Sequence, residues 1–210
     1  MEGPDGSGKS TQIRRLRDYL EQLGFSVLQT REPGGTLIAD KIRDLLLDPD
    51  HCELTPRAEA LLYMASRAQH TAGLIRPALE RGRVVISDRY ADSTLVYQGV
   101  ARGLPLAELA VLNRFATEGL MPDLTLLLDG DVETLESRMK HRGQKDRLDN
   151  EGLEFHQQVR SGFLILAAQE VERFQIVDAN RGIDSVWADI EACVTDFLQK
   201  RGRLHATSHQ

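Results

Sequence analysis

Short apolar runs and longer amphipathic stretches alternate along the whole chain. Four runs, at residues 25–30, 83–88, 124–129 and 174–178, read as buried strands, because each is short, rich in branched residues and bounded by turn residues or charge. Between them apolar positions recur every three or four residues, which predicts helices over 9–23, 36–47, 56–81, 106–118, 132–141, 153–173 and 184–201. Gly24 and Gly82 stand where helices close, and Thr55 is placed to cap the third. In the helix at 36–47, Ile38, Ile42, Leu45 and Leu46 share one face, which is expected to cover the sheet. Strands that alternate with helices predict an α/β fold, a parallel sheet flanked by helices. No internal repeat is found. The polar stretch 202–210 reads as a disordered tail, leaving a single domain over 1–201.

Composition narrows the function classes. A chain of 210 residues, 41% hydrophobic and 28% charged, can bury one substantial core. Its formal net charge of −6 argues against a coat for nucleic acid or membrane, so an anionic ligand would need arginines gathered at one place. Cys52 and Cys193 have no disulfide-framework or zinc-ligand spacing, which fits a reducing, cytoplasmic setting. No apolar run reaches membrane-spanning length, and the first residues lack the charged and apolar regions of a signal peptide. Neither nucleic acid nor membrane is expected as a partner.

The strongest motif is Gly3-Pro4-Asp5-Gly6-Ser7-Gly8-Lys9-Ser10, followed by Thr11 and an amphipathic helix. It fits G-x-x-x-x-G-K-[ST], the phosphate-binding loop. Glycines let the backbone wrap a phosphate with its N–H groups inward, and the helix start adds its positive dipole end. Lys9 would neutralise β- and γ-phosphate oxygens, and the Ser10 hydroxyl would ligate Mg²⁺. The expected architecture is therefore a P-loop NTPase three-layer sandwich. Such a loop follows a buried central strand, yet only Met1 and Glu2 precede Gly3, so that strand is expected to be missing. Losing four or five buried side chains would cost on the order of 10 kcal/mol, which leads us to expect a natural start upstream of Met1.

A phosphate loop alone does not separate a kinase from a switch or a motor. Asp88 and Arg89 close the strand at 83–88, on the sheet end where ligands of open α/β folds bind, so both are placed for phosphate and metal. With the residues that follow, Asp88-Arg89-Tyr90-Ala91-Asp92-Ser93-Thr94-Leu95-Val96-Tyr97-Gln98, they resemble the D-R-[YFH]-x-x-S-[ST]-x-[AV]-Y-Q pattern of bacterial thymidylate kinases. The resemblance extends over nearly the full length and includes Arg31-Glu32-Pro33-Gly34-Gly35-Thr36. It implies a homodimeric enzyme that uses Mg-ATP to convert dTMP into dTDP in dTTP biosynthesis. Arg31, Arg43 and Arg89 would meet the acceptor phosphate, and Asp5 the sugar 3′-hydroxyl. Tyr63, where the family usually has Phe, and Arg67 lie four apart on one helix face and would stack on and hydrogen-bond thymine, although the spacing alone fits core packing. Tyr97 would pack on the sugar with Gln98 beside it, and Thr94 would reach the base. The metal set is read as Ser10 and Asp88.

The basic run Lys140-His141-Arg142-Gly143-Gln144-Lys145-Asp146-Arg147-Leu148-Asp149 is by composition a solvated loop. It also resembles the family's lid, R-G-x-x-D-R-[LI]-[ED], at about 140–150. Some thymidylate kinases carry the phosphate-stabilising arginine in the loop after the carboxylate; Gly6 stands there instead. The resemblance thus implies the subtype whose lid supplies it, with Arg147 the first candidate and Arg142 the second. No general base is demanded, because a monophosphate with a second pKa near 6 is mostly ionised at pH 7. Asp88 could still serve a kinase that activates a hydroxyl, so another nucleotide or nucleoside kinase remains open. An ATP-dependent switch and a non-catalytic ATP-binding relic are the readings outside that class.

Overall fold

The computed structural model describes residues 1–139, 147–148 and 151–204. In chain order it contains α1 (Lys9–Gln22), β1 (Val27–Arg31), α2 (Leu37–Leu47), α3 (Pro56–His70) and α4 (Arg76–Glu80). These lead to β2 (Val84–Asp88), α5 (Ala91–Thr94), α6 (Leu106–Thr117), β3 (Thr125–Asp129) and α7 (Val132–Met139). The chain continues through α8 (Leu153–Gln169), β4 (Phe174–Asp178) and α9 (Ile183–Lys200). Two π-type segments, Thr71–Ile75 and Leu95–Ala101, join α3 to α4 and extend α5.

β1 pairs in parallel with β2, from Val27 opposite Val84 to Arg31 opposite Asp88, and β3 pairs in parallel with β4. The first two residues lie between these halves. Glu2 donates its N–H to the Leu126 carbonyl at 2.8 Å and accepts from the Leu128 N–H at 2.9 Å. On the other side the Met1 amine donates to the Ser87 carbonyl at 2.8 Å, and the Arg89 N–H donates to the Met1 carbonyl at 3.0 Å. The strand order is thus β1, β2, the N-terminal residues, β3, β4. Among the described residues, what precedes the phosphate loop is one bridge from Glu2 to Leu127 rather than a strand.

Side chains from both halves share one core. Val27, Ile86, Leu126, Leu128 and Val177 pack with Ile13, Leu16 and Leu20 of α1 and with Val186, Ile190, Val194 and Leu198 of α9. On the opposite face Leu127 packs with Val96, Tyr97, Phe155, Val159 and Phe163. Burying apolar surface on both sides of the sheet gives the expected helix, sheet, helix layering.

Three expectations change. The helix expected over 56–81 starts as read, with Thr55 Oγ1 accepting from the Ala58 N–H, but α3 ends at His70 and a wider π-type turn leads into α4. Pro77 has no N–H to give the carbonyl four residues earlier, and the wider turn accommodates that loss. α2 packs on α3 and leaves Ile38 and Leu45 exposed, burying Ala39 and Leu46, so its apolar stripe does not cover the sheet. Helical winding also occupies 91–101, a stretch outside the helices expected from the sequence. Its residues Val96, Tyr97, Gln98 and Gly99 are all buried, so no polar face marks the period.

Candidate functional site

Backbone geometry fixes the phosphate loop before any side chain acts. Gly3, Gly6 and Gly8 have φ of 140°, 81° and 89°, which favour glycine. A Cβ at Gly3 would sit 2.5 Å from the Leu128 carbonyl oxygen, and one at Gly6 would sit 2.5 Å from that of Leu135. The loop is therefore seated on the end of β3 and on α7. Lys9, in the first turn of α1, is buried, and its ammonium donates to the Gly3 and Pro4 carbonyls at 2.9 Å each. Burial and the nearby Arg89 charge push its pKa down, and Asp5, Asp88 and Glu2 partly restore it. Ser10 Oγ donates to Asp88 Oδ2 at 3.5 Å, and Thr11 continues the helix.

Arg89 ties the loop to the rest of the site. It follows β2 with φ of 68°, an uncommon conformation for a residue with a side chain. Its guanidinium grips both Asp5 carboxylate oxygens at 2.8 and 2.9 Å and donates to the Gly3 carbonyl at 3.0 Å and to Ser93 Oγ at 3.3 Å. It also lies over the Tyr97 ring, 4.9 Å from its centroid. Burial alone would raise the Asp5 pKa; the Arg89 and Lys9 charges, with hydrogen bonds from Arg89 and Tyr97, hold it far below the usual carboxylate range instead. Burial pushes the Tyr97 hydroxyl up, so it stays a neutral donor to Asp5 at 3.3 Å.

Glu2 supports the same node from beneath. It accepts from the Tyr90 N–H at 2.8 Å and from Ser93 Oγ at 2.6 Å, with Arg89 4.0 Å away. Burial raises its pKa and Asp92 adds to the rise.

One cleft of about 640 Å³ opens over these groups. Asp5, Gly6, Gly8, Lys9, Ser10 and Asp88 form one end, and Arg31, Arg43, Tyr63, Arg67, Arg89, Thr94, Tyr97 and Gln98 line the rest. Residues from the loop, α1, β1, α2, α3, β2 and the stretch after it thus converge on one space. Arg43 donates to the Pro33 carbonyl at 2.8 Å, and Arg31 pairs with Asp40 at 3.1 Å. Arg67 is buried and held from several sides: Nε on Glu32 at 2.8 Å, Nη1 on Thr94 and Asn113 at 2.8 and 2.7 Å, Nη2 on the Tyr90 carbonyl at 3.0 Å. Glu32 also accepts at 3.0 Å from His70, whose other ring nitrogen meets Thr30 at 2.7 Å. A guanidinium locked this way lines the cleft without having side-chain freedom to lose on binding.

A family model described as thymidylate kinase matches residues 1–190. The chain belongs to the thymidylate kinase family. Among curated relatives, the thymidylate kinase of Syntrophotalea carbinolica is 52% identical over 210 residues, covering 97% of each chain. That of Exiguobacterium sp. is 46% identical over 202 residues, covering 96% of this chain and 95% of its own. Among solved structures, thymidylate kinase from Ehrlichia chaffeensis superposes with a TM-score of 0.75 at 31% identity, covering 92% of this chain and 95% of its own.

Within this thymidylate kinase fold, not every sequence candidate faces the cleft. Gly3, Pro4, Ser7 and Thr11 are not among the residues that line it, and the Ser7 hydroxyl is buried with no hydrogen-bond partner among the described residues. Arg147 is turned to α2 and α3: its Nη2 donates to Glu59 at 2.5 Å, and its Nε and backbone N–H donate to the Leu46 and Leu47 carbonyls. Arg142 and most of the expected lid, at 140–146 and 149–150, lie outside the described residues, as does the tail from 205. Sequence reasoning missed Glu2, Glu32 and Glu59 as the buried acids that hold Arg89, Arg67 and Arg147. Glu32 had a signal, its place in the Arg-Glu-Pro-Gly-Gly loop; Glu59 lay unmarked in a helical run.

Proposed function

We propose that the cleft transfers the γ-phosphoryl group of Mg-ATP to dTMP, giving dTDP and ADP. The supporting observation is the single space in which the phosphate loop and Lys9 face Arg31, Arg43 and Arg89, with Tyr63, Arg67 and Gln98 beyond them. Three guanidinium groups suit a phosphate dianion, and an aromatic with hydrogen-bonding groups suits a base. Asp5 and Tyr97, bonded to each other below Arg89, would receive the sugar. Lys9 and Arg89 stabilise charge on the transferring group, and the acceptor phosphate attacks without surrendering a proton.

Ser10 and Asp88 fit magnesium. They are hard oxygen donors 3.5 Å apart beside Lys9, as suits an ion that takes one or two protein ligands and keeps water and phosphate in its shell. When bound, the ion would neutralise phosphate oxygens; Ser10 would ligate it and Asp88 would orient its shell. Since Arg147 is engaged with Glu59, we assign the charge-stabilising lid role to Arg142 and a positioning role to Arg147.

A coupled ADP-release assay tests the function. We expect magnesium-dependent dTDP formation that EDTA abolishes, with dTMP preferred over dUMP, dCMP and deoxythymidine. ATP turnover without dTDP would overturn it, as would faster phosphorylation of the nucleoside.

We further propose a homodimer in the cytoplasm. Leu61 of α3 and Val111 and Phe115 of α6 are exposed, and Phe115, 83% exposed, borders a shallow groove with Ala65, Ala68 and Ala72. An apolar surface of this kind on facing helices suits a self-complementary contact. Light scattering is expected to give twice the 23.5 kDa chain mass, falling to one chain for Phe115→Lys; an unchanged mass would remove this surface from the interface.

A further inference from the structure

Glu59 lies on α3 with 1% of its surface exposed, yet it holds a residue of the cleft wall. Its Oε1 accepts from Gln98 Nε2 at 2.8 Å. Arg147 donates to Oε2, and Arg102 lies 3.5 Å from both oxygens while pairing with Glu151 at 2.6 Å. Among the described residues, every group that meets the two Glu59 oxygens is a donor, and a carboxylate can only accept hydrogen bonds. The Gln98 amide, which could otherwise flip, must therefore turn its nitrogen to Glu59.

We infer that Glu59 is a specificity-positioning residue: by holding the Gln98 nitrogen, it makes the carbonyl oxygen the atom that Gln98 offers to the base. This rests on the proposed dTMP site. Thymine and uracil carry a donor at N3 between two carbonyl acceptors. Cytosine carries an acceptor at N3 and an amino donor at C4. A carbonyl aimed at N3 bonds thymine and opposes a cytosine lone pair. Arg67, whose guanidinium can only donate, opposes the cytosine amino group in the same way. Leaving a buried polar group unmatched discriminates far more strongly than a misfit of shape. Glu59 touches neither nucleotide, so its effect passes through the orientation of Gln98.

In Glu59→Gln the partner can donate as well as accept, and the Gln98 amide can then adopt either orientation. We expect the dTMP-to-dCMP ratio of kcat/KM to fall at least about tenfold, with KM for dTMP rising more than kcat falls. Glu59→Asp keeps an acceptor and should retain most of the ratio. Arg147→Met removes a different Glu59 contact and should lower turnover without changing the ratio. An unchanged ratio in a folded Glu59→Gln protein would overturn the inference; a wild type that fails to phosphorylate dTMP would instead overturn the proposed function. Should Glu59→Gln not fold, the wild-type Gln98 side-chain amide, assigned by its loss in Gln98→Leu, is followed by nitrogen-15 NMR during a dTMP titration. The proton bonded to Glu59 should stay in place as dTMP binds; its displacement would show the nitrogen turning to the base and would overturn the inference.

Discussion

Replacing Arg89 by methionine is expected to lower kcat/KM for dTMP by about 10³-fold, the size seen when one preorganised donor to a developing charge is removed. The loss has two parts. The cleft forfeits the cation that would sit between acceptor and loop, and Asp5 loses the Nη2 donor that meets both of its oxygens. Arg89→Lys should recover little, because an ammonium cannot hold two carboxylate oxygens and the Gly3 carbonyl in one plane. Initial rates against dTMP at saturating ATP decide it; a variant within tenfold of wild type would remove Arg89 from the chemistry. The pH profile should change too. In the wild type the Asp5 pKa lies below its unfolded value of about 3.9, so its contribution to stability is full above that value and is lost only as pH falls through the lower folded value. Without Arg89, burial acts with less opposition, the folded value rises, and the acid limb of stability moves toward neutral pH.

Arg173→Met is expected to cost about 3–5 kcal/mol of stability. Asp92 is fully buried, and Arg173 holds both of its oxygens at 2.6 and 2.8 Å while lying over the Phe174 ring. Removing the cation strands a carboxylate in the core close to Glu2, whose pKa Asp92 already pushes upward. For a chain of this size the loss corresponds to roughly a 10 °C lower melting temperature. Removing both charges in Arg173→Met with Asp92→Val should recover much of it, because the cost lies in the unpaired charge rather than in the missing contact. A single variant that melts within about 2 °C of wild type would show that water reaches Asp92.

The legible features were those with a local signature. The loop from Gly3 to Ser10 and the segment from Asp88 to Gln98 declare themselves because backbone wrapping and sheet-end placement need particular residues at fixed spacing, and the structure brings both to one cleft. The strands fell within two residues of their expected bounds, since short branched runs between turn residues have few other uses. What stayed hidden was pairing across long separations. Glu59 meets Gln98 and Arg147, and Glu2 meets Ser93, through contacts that no helical or strand period encodes. Arg147 makes a pairing of the same kind. Its place in a basic loop gave no sign of the buried acid on α3 that it meets.

The joint at Met1 and Glu2 carries a further meaning. The backbone bonds that unite the two halves of the sheet lie at Ser87, Arg89, Leu126 and Leu128, directly beneath the phosphate loop. The halves are further joined by side-chain packing and by the bonds from Arg173 and Thr125 to Asp92. A disturbance of the backbone bonds would be felt in the alignment of Lys9 and Arg89, which meet at the Gly3 carbonyl.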